Sequence, residues 1–499
     1  MLKSIKDVLE QTTQKYKDKI IFSEMNFAIT YQDFFNACNN GASFLLQKNL
    51  FKKNIMIFID KSIHCLEAMF SCAFAGSIYT VIDVHSPVNR IQTIIDTLKP
   101  SVIIADDKSV ESCQNFGIPV YSIDELISYP VCVDNLEVIN NKIIDTDPLY
   151  ILFTSGSTGI PKGSVITHKS VISYAEVICE TFGIDENTIF GSQTPFYFSM
   201  SILDVFATIF SGATLHIIPK MYFSFPVKLI EHLNQYKINT IYWVPTAMSI
   251  VANFKTFEVL LPKHLKTILF AGEVMPVKQL NVWRKYLPHA LYANLFGPTE
   301  ITDTGTYYIV DKDFLDHESL PIGVPFKNVD ALVIKDNRLV DENEVGELCF
   351  RGSFLGLGYY NNLDKTSEVF IQNPLEQNYP EIIYRTGDLV KYADDGNLLY
   401  LGRKDFQIKH MGYRIELGEI ESNIIAIDGI LSCACIYNTV ENKIVLFYQS
   451  NTVNEEALLK MAQEKLVPYM VPNKIIKLDR MPINANGKID RVKLKEMEM

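Results

Sequence analysis

A short apolar run followed by a glycine-rich loop constrains the fold of this chain more than any other stretch. Residues 149–163 read Leu-Tyr-Ile-Leu-Phe-Thr-Ser-Gly-Ser-Thr-Gly-Ile-Pro-Lys-Gly. The first half is rich in β-forming residues and predicts a buried strand. In the second half, glycines let backbone N–H groups approach an anion, hydroxyls add donors, and a lysine adds charge. We therefore predict a phosphate-binding loop; the alternative is a surface loop that is merely rich in serine and glycine.

This loop is not a Walker A loop, because the spacing Gly-x4-Gly-Lys-Ser/Thr is missing. On both sides of it, short apolar runs alternate with helical patterns, which predicts an α/β fold with doubly wound parallel sheets. Ligands of such sheets bind at the carboxyl ends of the strands, where the loop lies. The predicted strands of this part are 54–59, 79–83, 101–104, 213–218, 240–244 and 267–270, and the predicted helices include 3–16, 89–98, 168–182 and 227–236.

The texture of the sequence changes at about residue 305 to short strands separated by Gly and Asn, which predicts a small β-barrel or meander. From Arg403 onward, strands and helices are mixed, which is typical of a separate α+β domain. We therefore predict a large N-terminal domain of residues 1–402, which includes the barrel. A small α+β C-terminal domain of residues 403–499 follows it.

Charge and composition argue against several classes of function. The net charge of −12 and the pI of about 5.3 argue against binding to nucleic acid, whose polyanionic backbone needs a basic face. The nine cysteines are scattered, so we expect reduced core thiols rather than a zinc site or disulfides. The sequence contains neither a signal peptide nor a long uncharged apolar run, so we expect a cytoplasmic protein with no membrane insertion.

The loop at 154–163 resembles the signature loop of the adenylate-forming enzymes, which include acyl-CoA synthetases, luciferases and the adenylation domains of nonribosomal peptide synthetases. Further motifs of this superfamily follow in the expected order, so the resemblance covers nearly the whole chain. The sequence looks closest to freestanding D-alanine–carrier protein ligases and amino acid adenylation domains. The matching motifs are 294–300 (Asn-Leu-Phe-Gly-Pro-Thr-Glu), 384–389 (Tyr-Arg-Thr-Gly-Asp-Leu), 402–421, and 486–491 (Asn-Gly-Lys-Ile-Asp-Arg).

The resemblance implies that ATP and Mg²⁺ are cofactors. Phe296, where the family usually has Tyr, would lie against the adenine, and Asp388 would accept hydrogen bonds from both ribose hydroxyls. Taken singly, these motifs also fit ordinary Gly-Pro and Thr-Gly-Asp turns. The implied nucleotide-binding residues are Thr154, Ser155, Gly156, Ser157, Thr158, Gly159, Lys162, Asn294, Phe296, Asp388 and Arg403.

Three residues are implied to take part in catalysis. Thr299 would contact the α-phosphate, Glu300 would hold Mg²⁺, and Lys488 would bridge the acyl carboxylate and the α-phosphate. Lysine near a chain end is otherwise an ordinary solvated charge. In the family, the small domain rotates between two half-reactions, and the resemblance makes Asp405 the hinge residue.

The acid pocket departs from the family pattern. Ser199 stands where amino-acid-activating members carry the aspartate that pairs with the substrate's α-ammonium group. Either the substrate lacks that group, or Asp303 supplies the charge instead; Asp303 also fits a role near the Mg²⁺ or as a helix cap. Bulky Met200, Leu203 and Tyr242 suggest a small substrate. The implied pocket residues are Phe198, Ser199, Met200, Leu203, Tyr242, Leu269, Ala271, Gly272, Leu295, Asp303 and Thr304.

The resemblance implies an ATP-dependent ligase that converts a small amino acid or hydroxy acid to an acyl-adenylate with release of pyrophosphate. Because no carrier domain follows before Met499, we expect transfer to the phosphopantetheine thiol of a separate carrier protein. An acyl- or aryl-CoA ligase that uses free CoA is the alternative. A non-catalytic adenylate sensor is a third hypothesis, disfavoured because Lys488, Glu300 and the loop are all intact.

Overall fold

The structure is a computed structural model that describes residues 2–156, 160–404, 407–483 and 489–498. No helix in this described part is long and apolar enough to cross a membrane. In chain order the strands are β1 Ile20–Glu24, β2 Phe27–Thr30, β3 Asn54–Phe58, β4 Ile78–Val81, β5 Val102–Ala105, β6 Val120–Ser122, β7 Pro148–Thr154, β8 Lys162–Thr167, β9 Ile189–Ser192, β10 Thr214–Ile217, β11 Thr240–Trp243, β12 Thr267–Phe270, β13 Leu291–Phe296, β14 Thr306–Ile309, β15 Val324–Pro325, β16 Val329–Lys335, β17 Arg338–Leu339, β18 Gly346–Gly352, β19 Gly358–Tyr359, β20 Phe370–Gln372, β21 Ile382–Tyr392, β22 Leu398–Arg403, β23 Gln407–His410, β24 Tyr413–Glu416, β25 Ile430–Asn438, β26 Lys443–Ser450 and β27 Lys474–Lys477.

Helices alternate with the strands over the first 300 residues, as expected of an α/β chain. In chain order they are α1 Ile5–Tyr16, α2 Tyr31–Gln47, α3 Ile63–Phe74, α4 Val88–Leu98, α5 Val110–Cys113, α6 Ile123–Ile127, α7 Val133–Asn140, α8 His168–Phe182, α9 Ser201–Ser211, α10 Pro226–Gln235, α11 Pro245–Asn253, α12 Val277–Tyr286, α13 Leu363–Val369, α14 Leu417–Ile425, α15 Glu455–Lys465 and α16 Arg491–Glu498.

The chain forms two compact units, and the first comprises Met1–Val84, Leu98–Leu152 and Gly163–Gly402. Its largest sheet has nine strands in the order β15-β14-β13-β12-β11-β9-β10-β1-β2. The strands from β13 to β1 are parallel, and antiparallel strands flank them on both sides. A seven-stranded sheet follows the order β19-β8-β7-β4-β3-β5-β6. The prediction of an α/β fold is confirmed.

The strands of these two sheets are apolar because both of their faces are covered. Every residue of β3 is buried, which is typical of a parallel strand covered on both faces. The helices begin at side chains that accept free backbone N–H groups: the Thr30 hydroxyl accepts the N–H of Asp33 at 3.1 Å, and the Thr167 hydroxyl accepts the N–H of Ser170 at 3.0 Å. Helix α8 ends at Gly183, whose φ of 64° is left-handed.

Where a barrel or meander was predicted, β16, β17, β18, β20, β21 and β22 form an antiparallel six-stranded sheet. It has the order β17-β16-β18-β21-β20, with β22 paired to β21. Opposite β18, strand β21 has a register irregularity between the pairs of Glu347 and Cys349. Such an irregularity bends a strand and changes the direction of its side chains.

The second unit comprises Arg403–Met499 together with His85–Thr97 and Phe153–Lys162. It contains the hairpin β23-β24, a three-stranded sheet in the order β25-β26-β27, and helices α14, α15 and α16. Ile420, Leu446 and Leu458 are fully buried in its core. The predicted division into residues 1–402 and 403–499 stays a prediction, and Asp405 lies outside the described residues.

His168, at the start of α8, provides a pH test of this fold. Its side chain is buried and its Nδ1 accepts the N–H of Ile5 at 3.2 Å. Burial lowers the pKa of His168 from 6.5 to about 4, although Asp147, Asp7 and Asp145 act in the opposite direction. The unfolded chain therefore binds a proton at a pH where the folded chain does not.

We predict that the free energy of unfolding falls as the pH is lowered from 6.5 towards 4, by up to about 1.4 kcal/mol per pH unit from this group. His168→Asn keeps an acceptor for the Ile5 N–H but does not titrate, so its slope should be shallower. Urea unfolding at several pH values measures both slopes, and equal slopes would contradict the prediction.

Candidate active site

A tight turn after β13 places two of the predicted catalytic side chains. Thr299 and Glu300 begin a 3-10 turn, and both are buried. The hydroxyl of Tyr359 donates to Glu300 Oε1 at 2.6 Å, and the N–H of Gly356 donates to the Glu300 carbonyl at 2.9 Å. The turn is therefore held through both the side chain and the backbone carbonyl of Glu300.

The same turn meets the segment that precedes α9. The Thr299 hydroxyl donates to Ser199 Oγ at 3.2 Å, so two predicted site residues that lie 100 positions apart are in contact. Met200 and Leu203, which follow Ser199, are buried at 4% and 1% exposure. Phe198 is half-buried.

A buried carboxylate lies close to this turn in sequence. Asp303 is 2% exposed, and its Oδ2 accepts the hydroxyls of Tyr174 at 2.8 Å and of Tyr242 at 3.0 Å. The Tyr174 hydroxyl also lies 2.9 Å from Thr304 Oγ1. Burial is the main cause, and the charge of nearby Asp303 the second, of a pKa well above the ordinary value for both tyrosines. Both hydroxyls therefore stay protonated and can donate.

Tyr174 is a site residue that the sequence analysis missed. It lies on α8, whose buried face also carries Val171, Ile178 and Phe182. A tyrosine on such a face looks like an ordinary core residue. Only the fold brings its hydroxyl to Asp303, which is 129 residues away in the chain.

The remaining predicted pocket residues lie on neighbouring parallel strands. Tyr242 on β11 pairs with Leu269 on β12, and Leu269 pairs in turn with Ala293 on β13. Leu269, Ala271 and Leu295 are buried, and Gly272 has a φ of 88° just beyond the carboxyl end of β12.

The predicted ribose-binding carboxylate lies inside strand β21. Asp388 is 3% exposed, and its N–H donates to Thr386 Oγ1 at 2.9 Å. Gly387, with a φ of 77°, donates its N–H to Glu347 Oε1 at 3.1 Å. The other Glu347 oxygen accepts Nε of Arg385 at 2.9 Å. These bonds fix the backbone that leads into Asp388.

Two predicted nucleotide-binding residues lie on β13. The ring of Phe296 lies 5.6 Å from that of Tyr400 between centroids, with the planes tilted by 43°. The Asn294 amide donates to the carbonyl of Pro321 at 2.8 Å. Arg403 ends strand β22.

The glycine-rich loop belongs to the second unit, where its donors face carboxylates. The N–H of Gly156 donates to Glu419 Oε2 at 3.2 Å, and Lys162 Nζ lies 3.8 Å from Glu416 Oε1. The Ser155 hydroxyl donates to the carbonyl of Arg414 at 2.6 Å and accepts the N–H of Glu416 at 3.1 Å. In this structure, the donors predicted to hold phosphate are thus close to negatively charged oxygens.

Only glycine fits at position 156 of this loop. A Cβ added to Gly156 would lie 1.9 Å from the carbonyl oxygen of Ile160. Glu419 also pairs with Arg90 of α4, and burial raises the pKa of its carboxyl group while Arg90 lowers it. The Gly156 N–H donates to a carboxylate oxygen, and a phosphate oxygen is the same kind of acceptor, so this position fits a phosphate group.

The described residues also fit an Mg²⁺ ion that arrives with phosphates. They contain no group of three or more His, Cys, Asp or Glu that could hold a metal ion by themselves. Mg²⁺ is commonly held by one or two carboxylates together with substrate phosphates, and Glu300 supplies such a carboxylate. The predicted residues Lys488, Asp405, Ser157, Thr158 and Gly159 lie outside the described part of the chain.

Comparison with known proteins points to one family. The model of the family "AMP-binding enzyme" matches residues 9–360. Zwittermicin A synthase ZmaJ of Bacillus cereus is 32% identical over 98% of this chain and 94% of its own length. Tyrocidine synthase 1 of Brevibacillus parabrevis is 30% identical over the whole chain, which spans only 45% of that protein.

Among solved structures, the fold is similar to that of NpsA-ThdA, an artificially fused Adenylation-PCP di-domain NRPS from Klebsiella oxytoca. The TM-score is 0.81, with 21% sequence identity, over 95% of this chain and 94% of that one. At this level of identity the likeness shows the fold alone.

Gly297, which precedes the catalytic turn, provides a test of the site. An added Cβ there would lie 2.5 Å from Thr304 Cα and 2.6 Å from the Asp303 carbonyl oxygen, and neither backbone atom can move by itself. We predict that Gly297→Ala displaces the turn and lowers the affinity for ATP with Mg²⁺ by about tenfold or more, because small displacements are costly where groups must be aligned.

Isothermal titration calorimetry measures this affinity. Gly117→Ala is the control for backbone strain without a clash, since a Cβ at Gly117 meets nothing within 4 Å although its φ of 67° strains an alanine. An equal loss of affinity in the two variants would contradict the role of Gly297.

Proposed function

We propose, since this chain belongs to the family of AMP-binding enzymes, that it activates a small amino acid or hydroxy acid for transfer to a thiol. The chain is an AMP-forming ligase. In the proposed reaction, a carboxylate oxygen of the acid forms a bond to the α-phosphorus of ATP. The bond from that phosphorus to pyrophosphate breaks, and its electron pair leaves with pyrophosphate.

The physical problem in this step is repulsion between two anions. Catalysis therefore depends on positioning and on neutralising negative charge. In the proposal, the loop at Gly156 and Lys162 binds the phosphates, Asp388 orients the ribose, and Thr299 contacts the α-phosphate. Mg²⁺, held by Glu300, would supply positive charge to the phosphates. The loop carries the proposal furthest, because its N–H and ammonium donors already face carboxylate oxygens.

Two observations bear on the acid, and they favour different substrates. The buried Asp303 carboxylate, at 2% exposure, would pair well with a substrate ammonium group, which supports an amino acid. Ser199, whose hydroxyl is bonded to Thr299, provides a neutral partner that suits a hydroxy acid. We place the amino acid first, because a carboxylate held by two tyrosine hydroxyls forms a stronger, charge-assisted bond to its ligand than a neutral hydroxyl does.

For the thiol acceptor we propose the phosphopantetheine arm of a separate carrier protein. The Adenylation-PCP fusion supports this acceptor, since its name joins the two kinds of domain. Free CoA is the second candidate. Incubation of the enzyme, ATP and acid with either a phosphopantetheinylated carrier or CoA distinguishes the two, because only the true acceptor yields a thioester at a useful rate.

ATP–pyrophosphate exchange over a panel of amino, hydroxy, aryl and long-chain fatty acids tests the proposal as a whole. Exchange with one or a few small acids is expected. Exchange only with long fatty acids would contradict the small pocket, and no exchange with any acid would contradict adenylation.

The first mutational prediction concerns Lys488. Because the lysine is proposed to neutralise charge between the acid and the α-phosphate, Lys488→Ala should lower the exchange rate by about 100-fold or more and leave ATP affinity nearly unchanged. Lys495→Ala, which removes an exposed lysine from the same chain terminus, is the control. Unchanged exchange in Lys488→Ala would refute the role of the lysine.

The second concerns Asp303. An amide oxygen in place of Oδ2 can still accept both tyrosine hydroxyls, so Asp303→Asn removes charge with little change in shape. We expect kcat/KM for amino acids to fall by about tenfold to a hundredfold, and that for hydroxy acids to change little.

Steady-state exchange kinetics on both classes of acid measures this selectivity. Asp330→Asn is the matched control, because Asp330 pairs with Arg351 at the surface. An equal effect of Asp303→Asn on all acids would argue against an ammonium partner.

A further inference from the structure

A half-buried lysine outside the predicted site links two sheets. Lys61 follows β3 of the seven-stranded sheet, and its Nζ donates to the hydroxyl of Ser192 at 2.8 Å. Ser192 is the last residue of β9 in the nine-stranded sheet and is fully buried. The ammonium group also lies 5.3 Å from the centroid of the Phe196 ring, where the π electrons attract a cation.

The charge opposite Lys61 comes from helix α9. Asp204 lies in the first turn of α9 and is 2% exposed, and its Oδ1 is buried without a hydrogen-bond partner among the described residues. Burial raises the pKa of Asp204 to about 6, while Lys61 and then Ser192 act to lower it. Burial lowers the pKa of Lys61 to about 8, while Asp204, Asp60 and Cys65 act to raise it.

The contacts of Lys61 lie directly before the segment that carries the first half of the predicted acid pocket, and its electrostatic partner Asp204 lies directly after it. Ser192 and Phe196 precede Phe198, Ser199 and Met200 in the chain, and Asp204 follows them. Ser199 in turn accepts the hydroxyl of Thr299 from the catalytic turn. A change at Lys61 can therefore reach the acid through the segment, and Lys61 itself is not one of the predicted nucleotide-binding residues.

Stability alone does not account for these two opposite charges. Charges withdrawn from water lose solvation that their mutual attraction barely restores, and apolar side chains of similar size often replace them without loss of stability. Charged groups do fix geometry, because each one restricts where its partners can lie.

We propose that Lys61 is a positioning residue for the acid pocket, whose ammonium group holds the segment 192–204 so that Ser199 lies against Thr299. This inference rests on the proposed function, since it concerns the acid of that reaction. It assigns to the Lys61–Ser192–Asp204 cluster a larger effect on binding of the acid than on binding of ATP.

Exchange kinetics of Lys61→Met, with the most active acid of the panel above, tests the inference. The KM for the acid should rise by about tenfold, as expected when one well-placed contact is lost, and the KM for ATP should change less than about twofold. Lys61→Arg, which keeps the charge, should restore most of the acid affinity. Lys335→Met, which removes a surface lysine paired with Glu344, should match the wild type.

Asp204→Asn and the double variant Lys61→Met/Asp204→Asn complete the cycle. Each single variant leaves one of the two groups without its opposite charge, whereas the double variant removes both. The fold-rise in the acid KM of the double variant should therefore be smaller than the product of the fold-rises in the two single variants. The pH dependence supplies a separate readout: the acid KM of the wild type should be lowest between about pH 6 and 8, and that of the double variant should vary less.

Parallel rises in both KM values, or an unchanged acid KM in Lys61→Met, would overturn the inference. If Lys61→Met does not fold, Lys61→Arg and the pH profile of the wild type still decide it: a flat acid KM from pH 5.5 to 8.5 would contradict it. Failure of the proposed function looks different, because the wild type itself would then show no exchange with any acid.

Discussion

The candidate active site depends first on one constraint: hydrogen-bond donors must lie where anionic oxygens are bound. In the glycine-rich loop, this placement requires a backbone too close to itself for any side chain at Gly156. The loop N–H and the Lys162 ammonium face the carboxylates of Glu419 and Glu416 in this structure, which shows that the loop accommodates anionic oxygens. ATP presents the same kind of oxygen with greater charge, so the loop chemistry and the family membership agree.

The acid side of the molecule follows the opposite rule. Its polar groups are held by specific partners: Glu300 by Tyr359, Asp303 by two tyrosines, and Ser199 by Thr299; of these, Glu300 and Asp303 are almost fully buried. In surroundings of low dielectric, each such group strongly favours a ligand of complementary charge or hydrogen bonding. If the acid binds among these groups, as we propose, it is selected by single functional groups rather than by overall apolar area.

Much of this architecture could be predicted from the sequence, because periodic patterns and caps are local. Helix 168–182 was predicted with the bounds that α8 has, the helix capped by Thr30 was confirmed, and the strands near 214 and 240 differ from prediction by about one residue at their ends. Contacts between distant residues could not be predicted. Tyr174 with Asp303 and Lys61 with Ser192 are separated by more than 120 positions, and nothing in their neighbourhoods marks them. The compact units also divide the chain differently from a single cut, since His85–Thr97 and Phe153–Lys162 group with the C-terminal residues.

This grouping has a consequence for biosynthesis. The glycine-rich segment leaves the ribosome about 250 residues before Arg414, Glu416 and Glu419, which it contacts in the finished unit. Translation at roughly 5–20 residues per second then leaves this segment without those partners for about 10 to 50 seconds. During that interval its polar backbone is hydrated, and the seven-stranded sheet must form around β7 and β8 without help from the C-terminal elements. When the chain folds during synthesis, the surroundings of the glycine-rich loop are therefore completed last.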